Sequence, residues 1–208
     1  FSPGKFILNR IKNDEREIAL TFDDGPHPDN SPRLLNILRK EAVKATFFVS
    51  GANIEAYPAL LKTIVEEGHE IGNHSFSHKK IAELNPCGYR QEIEKASKLI
   101  QQYLPADNVP YLFRPPYGEL NLSIIRLILK NNLTYTGWTI DSNDSYIKSK
   151  AKLADFINAT PVRSGDILLF HEDYPTTIDA LPEIIKGLKS RGFKLVTMSQ
   201  LINSNQTR

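Results

Sequence analysis

The 208-residue chain has only one Cys, one Met and one Trp. The single cysteine, Cys87, excludes an intrachain disulfide and any metal site made from several thiolates. Its 26 basic and 24 acidic residues leave a net charge of only +2, which argues against nucleic acid as a partner. No apolar run approaches the roughly 18 residues needed to cross a bilayer, so no membrane span is expected. The composition is that of an ordinary globular domain.

Short apolar runs with strand character alternate along the chain with amphipathic helical runs. The predicted strands are Glu17–Phe22, Thr46–Ser50, Glu70–Asn73, Tyr111–Phe113, Tyr135–Ile140, Asp166–Phe170 and Phe193–Thr197. The predicted helices are Pro32–Glu41, Pro58–Glu67, Tyr89–Tyr103, Leu122–Asn131, Lys150–Asn158 and Ile178–Ser190. This alternation is typical of parallel β/α units and favours an α/β barrel of about seven strands, closed or incomplete. An open doubly wound sheet is the alternative, although its nucleotide-binding form loses support because neither G-x-G-x-x-G nor a Walker A sequence is present.

Polar residues follow the predicted strands at the point where each strand ends. In chain order they are Asp23 and Asp24, His74, Arg114, Asp141 and His171. Because the carboxyl ends of parallel barrel strands open onto one face, we expect these side chains to converge there. The sequence therefore predicts a single polar site at the mouth of the barrel.

Two motifs offer ligands for a cation. In Thr21-Phe22-Asp23-Asp24-Gly25-Pro26 one carboxylate can bind an ion while its neighbour stays free as a base, the alternative being a capped turn. His74 and His78 are four residues apart, so on a helix both imidazoles would reach one ion; two surface histidines are the alternative. Two imidazoles with one carboxylate form a ligand set for Zn²⁺ or another divalent ion.

Three further segments carry groups suited to hydrolysis. The prolines of Arg114-Pro115-Pro116-Tyr117 stiffen the backbone and leave the Tyr117 N–H as a rigid donor of the kind that stabilises an oxyanion. Arg114 could hold a carboxylate in a bidentate pair. A carboxylate from Asp141-Ser142-Asn143-Asp144 would orient His171 and favour its charged form, which makes His171 a candidate proton donor. Trp138 and Leu169 are core residues or, alternatively, contacts for a sugar ring.

Taken together and in this order, the five motifs from Thr21 to His171 resemble the polysaccharide deacetylases of carbohydrate esterase family 4, the chitooligosaccharide deacetylase homology domain. The resemblance covers most of the chain. It implies a distorted (β/α) barrel and a single polysaccharide deacetylase catalytic domain over residues 1–208.

The resemblance also implies roles for individual residues. Asp24, His74 and His78 match the metal ligands, and Asp23 matches the general base. Arg114 matches the residue that steadies this base, and the backbone N–H of Tyr117 is expected to face the oxyanion. His171 matches the general acid, with Asp144, or else Asp141, as the carboxylate that tunes it. The expected substrate contacts are Trp138, Leu169, Pro115 and Tyr117.

The expected reaction is metal-dependent removal of N-acetyl groups from N-acetylglucosamine residues of a polysaccharide, either peptidoglycan or chitin oligomers. Zn²⁺ is the expected ion, with Co²⁺ or Ni²⁺ as alternatives. Acetyl xylan esterase, small-amide hydrolase and inactive carbohydrate-binding module are alternative functions. The family often has Trp directly after the Asp of the fourth motif, where this chain has Ser145 followed by Tyr146. An extracellular or cell-surface location is expected, although this sequence shows no signal-like segment.

Overall fold

The computed structural model describes residues 6–7, 10–11, 13–80, 83–105 and 111–204. The strands are β1 (Phe6–Ile7), β2 (Glu17–Gly25), β3 (Thr46–Val49), β4 (Glu70–Asn73), β5 (Leu112–Phe113), β6 (Thr134–Thr136), β7 (Ile140–Asp141), β8 (Ile167–His171) and β9 (Lys194–Val196). The helices are α1 (Asn30–Lys40), α2 (Gly51–Ala56), α3 (Pro58–Glu66), α4 (Pro86–Gln101), α5 (Leu122–Lys130), α6 (Lys150–Ala159), α7 (Pro175–Ser190) and α8 (Met198–Ser204). Within these ranges no helix combines the length and apolar character that a membrane span requires.

The strands form one parallel sheet in the order β1-β6-β5-β4-β3-β2-β8-β7. Strand β9 also pairs with β2, along Glu17–Ala19, whereas β8 pairs with β2 from Ala19 to Asp23. The sheet curls with helices packed on its outside, which confirms the predicted distorted (β/α) barrel. All carboxyl ends of the parallel strands therefore open at one mouth.

The predicted run Tyr135–Ile140 is wrong as one strand, because the structure divides it into β6 and β7. Where β6 ends, the carbonyls of Thr136 and Gly137 accept hydrogen bonds from the Arg114 guanidinium, at 3.1 Å and 3.0 Å. Two short helices, α2 and α8, and the two-residue strand β1 were not predicted. The other six predicted strands and all six predicted helices are present, with shifts of a few residues at their ends.

Apolar side chains form layers on both faces of the sheet. On β2, Ile18, Leu20 and Phe22 belong to the outer layer beneath the helices. Ala19 instead joins the barrel interior, where the residues of α8 close the bottom with Met198 and Leu201. The same alternation continues up β2 and places Thr21 and Asp23 on the inner face, near the mouth. The barrel is thus apolar at its base and polar at the end where the strands finish.

Candidate active site

The adjacent carboxylates of Asp23 and Asp24 are turned toward the same mouth by an irregularity in β2. In a regular strand neighbouring side chains point to opposite faces. Here Asp24 has a φ of 70°, and the pairing of β2 with β3 shifts between Asp23 and Gly25. Asp23 is buried, with 3% of its surface exposed, whereas Asp24 is partly exposed. The two acids therefore reach the site in different surroundings.

His74 and His78 are brought together by a loop, so the helix suggested by their spacing is wrong. Ser75 and His78 have φ values of 67° and 55°, which no α-helix accommodates. The Glu92 carboxylate from α4 holds the loop, accepting from the Ser77 N–H at 2.6 Å and from the Ser77 hydroxyl at 2.9 Å. The two imidazoles do lie close together, as predicted, but the reason is a loop held by the Glu92 carboxylate.

The nitrogen and oxygen atoms of Asp24, His74 and His78 are grouped as a metal site requires. One ligand atom from each residue lies within 4.8 Å of the others. The Asp24 Oδ1 atom is 3.1 Å from His78 Nε2 and 3.5 Å from His74 Nε2. His74 Nδ1 is 2.7 Å from the Arg114 carbonyl oxygen, an acceptor that assigns the proton to Nδ1 and leaves the Nε2 lone pair for a ligand. Two imidazoles and a carboxylate in this arrangement fit a divalent cation.

The same contacts shift the titration of the ligand residues. Burial alone would raise the pKa of the Asp24 carboxyl, but its bonds to His74 and His78 outweigh burial and hold that pKa well below the ordinary value. Burial works to lower the pKa of His74, and the charges of Asp23 and Asp24 reverse the effect and raise it. The carboxylates thus concentrate negative charge where a cation would bind.

Arg114 fixes the other carboxylate from a fully buried position. Its Nη1 atom donates to Asp23 Oδ1 at 2.7 Å and to Thr21 Oγ1 at 2.9 Å. The predicted bidentate pair is wrong, because the remaining guanidinium donors bind the backbone carbonyls of Thr136 and Gly137. The second Asp23 oxygen, Oδ2, lies 3.7 Å from His74 Nε2. Asp23 is therefore held by one oxygen, while the other faces the ligand group.

His171 is oriented by Asp144, which answers the question the sequence left open. Asp144 is buried, and its Oδ1 lies 2.7 Å from His171 Nδ1. Its Oδ2 accepts from the His171 N–H at 2.7 Å and from the Thr177 hydroxyl at 2.8 Å. Burial works to lower the pKa of His171, but the bond to Asp144 prevails and raises this pKa to about 9. Asp141 is exposed and accepts from the Asn143 N–H instead.

Tyr117 lies on the opposite side of the mouth, on a turn stiffened by the buried residues Pro115 and Pro116. Its φ is 59°, and among the described residues no oxygen accepts a hydrogen bond from its N–H. Its ring packs against His78 with the centroids 4.9 Å apart. The rigid donor predicted from the two prolines is therefore present beside the ligand group.

The predicted sugar contacts differ in exposure. Trp138 is half-buried and packs on the barrel interior, and its ring approaches Gly118, where an added Cβ would lie 2.5 Å from it. Leu169 is buried on β8, two positions before His171 and on the same face of the strand. Tyr146 is 82% exposed, whereas the Trp138 ring centroid lies 5.8 Å from the guanidinium carbon of Arg114.

Several residues of the site were not predicted. Thr177 binds Asp144 from α7, and Glu92 holds the histidine loop from α4. Glu172 is fully buried behind the loop of Asp23 and Asp24, where burial raises its pKa to about 7. Its Oε1 accepts from the Ser31 hydroxyl, and an added Cβ at Gly25 would lie 1.7 Å from its Oε2. The only sequence signal for Glu172 is a charged residue directly after an apolar strand.

Comparison with known proteins gives this geometry a family. A model of the family described as polysaccharide deacetylase matches residues 10–136. The chain belongs to the polysaccharide deacetylase family. A peptidoglycan-N-acetylglucosamine deacetylase from Bacillus cereus is 34% identical over 198 residues, which cover 92% of this chain and 70% of the relative.

Two further relatives of the deacetylase chain agree with this assignment. A chitooligosaccharide deacetylase from a Bradyrhizobium species is 32% identical, with 89% of this chain and 90% of the relative covered. The crystal structure of the Bc1960 peptidoglycan N-acetylglucosamine deacetylase superposes with a TM-score of 0.88 at 30% identity, covering 97% of this chain and 94% of that one. The predicted family and the predicted enzyme class, a polysaccharide N-deacetylase, are confirmed.

Proposed function

We propose that this polysaccharide deacetylase is a metal-dependent hydrolase that removes N-acetyl groups from N-acetylglucosamine residues of peptidoglycan. The observation that carries the proposal is the pairing of two carboxylates with separate duties. One oxygen of Asp24 lies within 4.8 Å of a nitrogen of each of two imidazoles, whereas one oxygen of Asp23 is anchored separately by the buried Arg114 guanidinium. A site that only bound a cation or a sugar would have no need of the second, separately anchored acid.

Asp24, His74 and His78 would hold the divalent ion, with Zn²⁺ as the proposed metal and Co²⁺ or Ni²⁺ as alternatives. When bound, such an ion supplies Lewis acidity toward the acetyl carbonyl oxygen and toward water. The Arg114 carbonyl keeps the Nε2 atom of His74 available for this purpose, because it accepts a hydrogen bond from Nδ1–H and so fixes the proton on Nδ1.

The residues of the chain then divide the proton transfers between them. Asp23 removes a proton from the attacking water, and Arg114 holds the Asp23 carboxylate in place. The Tyr117 N–H donates to the oxyanion that develops on the acetyl group. His171, charged because Asp144 is bonded to it, delivers a proton to the departing amine. The products are acetate and a glucosamine residue.

Peptidoglycan is the proposed polymer, and chitin oligomers are the alternative. The relatives reported above are named for both substrates. Because peptidoglycan lies outside the cytoplasmic membrane, an extracellular or cell-surface location is part of the proposal.

The test is an acetate-release assay on peptidoglycan, chitin oligomers and acetylated xylan, with and without a chelator. We expect release from peptidoglycan that stops with the chelator and returns when Zn²⁺ is added. Unchanged release after chelation would contradict the metal dependence. Release from acetylated xylan alone would favour an acetyl xylan esterase, and ammonia release from small amides would favour a small-amide hydrolase. Binding of glycan fragments with no acetate release would favour an inactive binding module.

Asp23→Asn tests the division of labour between the two acids. The substitution keeps size and removes the base, so turnover should fall by about 10²–10⁴-fold while bound zinc stays at one ion per chain. The matched control is Asp141→Asn, an exposed carboxylate outside the site. Near-normal turnover in the Asp23 variant would remove Asp23 from the role of base.

A further inference from the structure

His78 and His171 each contact a tyrosine ring, and a lysine ammonium group lies over each of these two rings. On the side of the ligand group, the Tyr117 ring packs on His78, and Lys80 Nζ is 5.1 Å from the Tyr117 ring centroid. On the opposite side, the Tyr174 ring lies edge-on to His171 at 5.6 Å, and Lys148 Nζ is 4.6 Å from the Tyr174 ring centroid. The mouth is therefore flanked twice by the same combination of an aromatic ring and an ammonium group.

Among the described residues, Lys80 and Lys148 have no carboxylate partner, in contrast to four other surface lysines. Lys62, Lys95, Lys189 and Lys194 form ion pairs with glutamates at 3.0–3.6 Å. Within the ranges that the structure describes, Lys80 and Lys148 are exposed and form no ion pair. Their ammonium groups are held over tyrosine rings instead, by attraction to the ring face.

We propose that Lys80 and Lys148 are specificity-determining residues that select a glycan carrying carboxylates on both sides of the residue being deacetylated. The inference rests on the proposed function and deepens it. A polymer that alternates N-acetylglucosamine with N-acetylmuramic acid presents such carboxylates on both neighbours of each target, as free lactyl groups or, where the lactyl group is joined to a stem peptide by an amide bond, on that peptide. Chitin presents uncharged neighbours there. The flanking ammonium groups thus favour peptidoglycan through the carboxylates that the neighbouring sugars carry.

The arrangement suits recognition of a charged polymer at an open mouth. An ammonium already positioned over a ring loses less freedom when it binds an anion than a freely moving side chain does. No protein carboxylate has to be displaced from either lysine before the substrate binds. Because both groups face solvent, the attraction is modest and is screened by salt.

The experiment compares one glycan in two charge states. Peptidoglycan strands freed of their stem peptides carry lactyl carboxylates, and coupling these groups to methylamine yields a neutral strand of the same sugars. Acetate release is measured as kcat/KM on both forms for the wild-type protein, Lys80→Gln, Lys148→Gln and the double variant. Lys186→Gln, an exposed lysine near the far end of α7, is the matched control.

For the wild-type protein we expect a higher kcat/KM on the charged strand than on the neutral one. Each single variant should lower this ratio about three-fold, and the double variant about ten-fold, as expected for exposed charges. Raising the salt concentration from 50 mM to 500 mM should lower the wild-type ratio in the same direction. Lys186→Gln should leave the ratio at its wild-type value. Strands that keep their stem peptides separate the two sources of carboxylate, because their lactyl groups are amides. A kcat/KM that is higher on these strands than on the stripped charged strand, and that falls in the double variant, would assign recognition to the carboxylates of the stem peptide.

Three outcomes would count against the inference. A ratio that is unchanged in the double variant would overturn it while leaving the proposed function standing, because the protein would still release acetate. A wild-type ratio of one would do the same. Failure of the wild-type protein to release acetate from either strand would overturn the proposed function, and this inference with it.

Discussion

The two sides of the mouth hold their histidines in opposite ways. His74 and His78 lie on a loop with left-handed residues, and their Nε2 atoms converge on the single oxygen Asp24 Oδ1. His171 instead ends β8, and its partner Asp144 is buried and accepts three hydrogen bonds from residues of the chain. The first side offers ligand atoms to something outside the chain. The second side is satisfied by the chain itself.

Under the proposed function, only the first side depends on an added ion. Removing a ligand on the first side should disturb metal binding and activity together. Changes on the second side should alter proton transfer while the metal remains bound. Substitutions on the two sides should therefore differ in what they do to bound metal.

His78→Ala removes one of the three ligands and should have the largest effect. We expect bound Zn²⁺ to be lost and acetate release to fall by at least about 10³-fold, since Lewis acidity is worth several kcal/mol. Metal content by atomic absorption and initial rates check this result. An unchanged thermal midpoint in the presence of chelator would show that the variant is folded. Full metal content in this variant would mean that the ligand set has been misassigned.

His171→Ala should lower turnover by about 10²–10³-fold without changing metal content, because the proton donor is lost on the side that binds no ion. Rate assays and metal analysis on the same preparation test the separation directly. The prediction is wrong if the metal leaves together with the activity, since His171 would then belong to the ligand group.

Asp144→Asn should act mainly through pH. In the proposed mechanism the acid form of His171 is the active form, and its pKa of about 9 places the expected alkaline fall in rate near that pH. Without the negative charge of Asp144 the pKa drops, so the alkaline limb of the kcat profile should move about 1–3 pH units lower. An unshifted limb would show that some other group sets it. Asp141→Asn, which does not touch His171, serves as the control.

Glu172→Gln should have the smallest effect on activity and should act on stability instead. Glu172 follows His171 in the chain and packs on Gly25, so it connects the two sides of the mouth. Its pKa is raised from 4.5 to about 7, so the folded state keeps a proton that the unfolded state releases in this range. Stability from this group is present below pH 4.5 and is lost as pH rises through 7, by up to about 3 kcal/mol. The variant should lose that part of the pH slope in urea unfolding. Identical slopes would contradict the prediction.

The regular part of the fold was predictable because local pattern and tertiary structure agree there. Short apolar runs located β2 and β8, and the polar residues after them identified the mouth. The division between β6 and β7 was not predictable, because it depends on Arg114 binding carbonyls more than twenty residues away along the chain. Helix α8 is short and closes the barrel through contacts far apart in sequence, which leave little local signal.

For the site, the order of motifs along the chain was enough to find the side chains at the mouth but not the residues that hold those side chains in place. The spacing of His74 and His78 predicted that they meet, although the helical explanation was wrong. The choice between Asp141 and Asp144 could not be made from spacing, because both lie near His171 and only the fold turns one of them inward. Thr177, Glu92 and Glu172 escaped notice because their partners come from other elements, and no local pattern records such contacts.

Arg114 binds the Asp23 carboxylate through its side chain and the His74 imidazole through its main-chain carbonyl. A mutation at position 114 can therefore change the first contact but cannot remove the second. A codon change at position 114 can abolish the grip on Asp23, at a cost of about 3–5 kcal/mol for the charge left alone in the interior. No codon change removes the carbonyl that sets the proton on His74. Descendants of this protein can thus lose water activation by one substitution at this position and still keep the tautomer that leaves Nε2 ready for an ion.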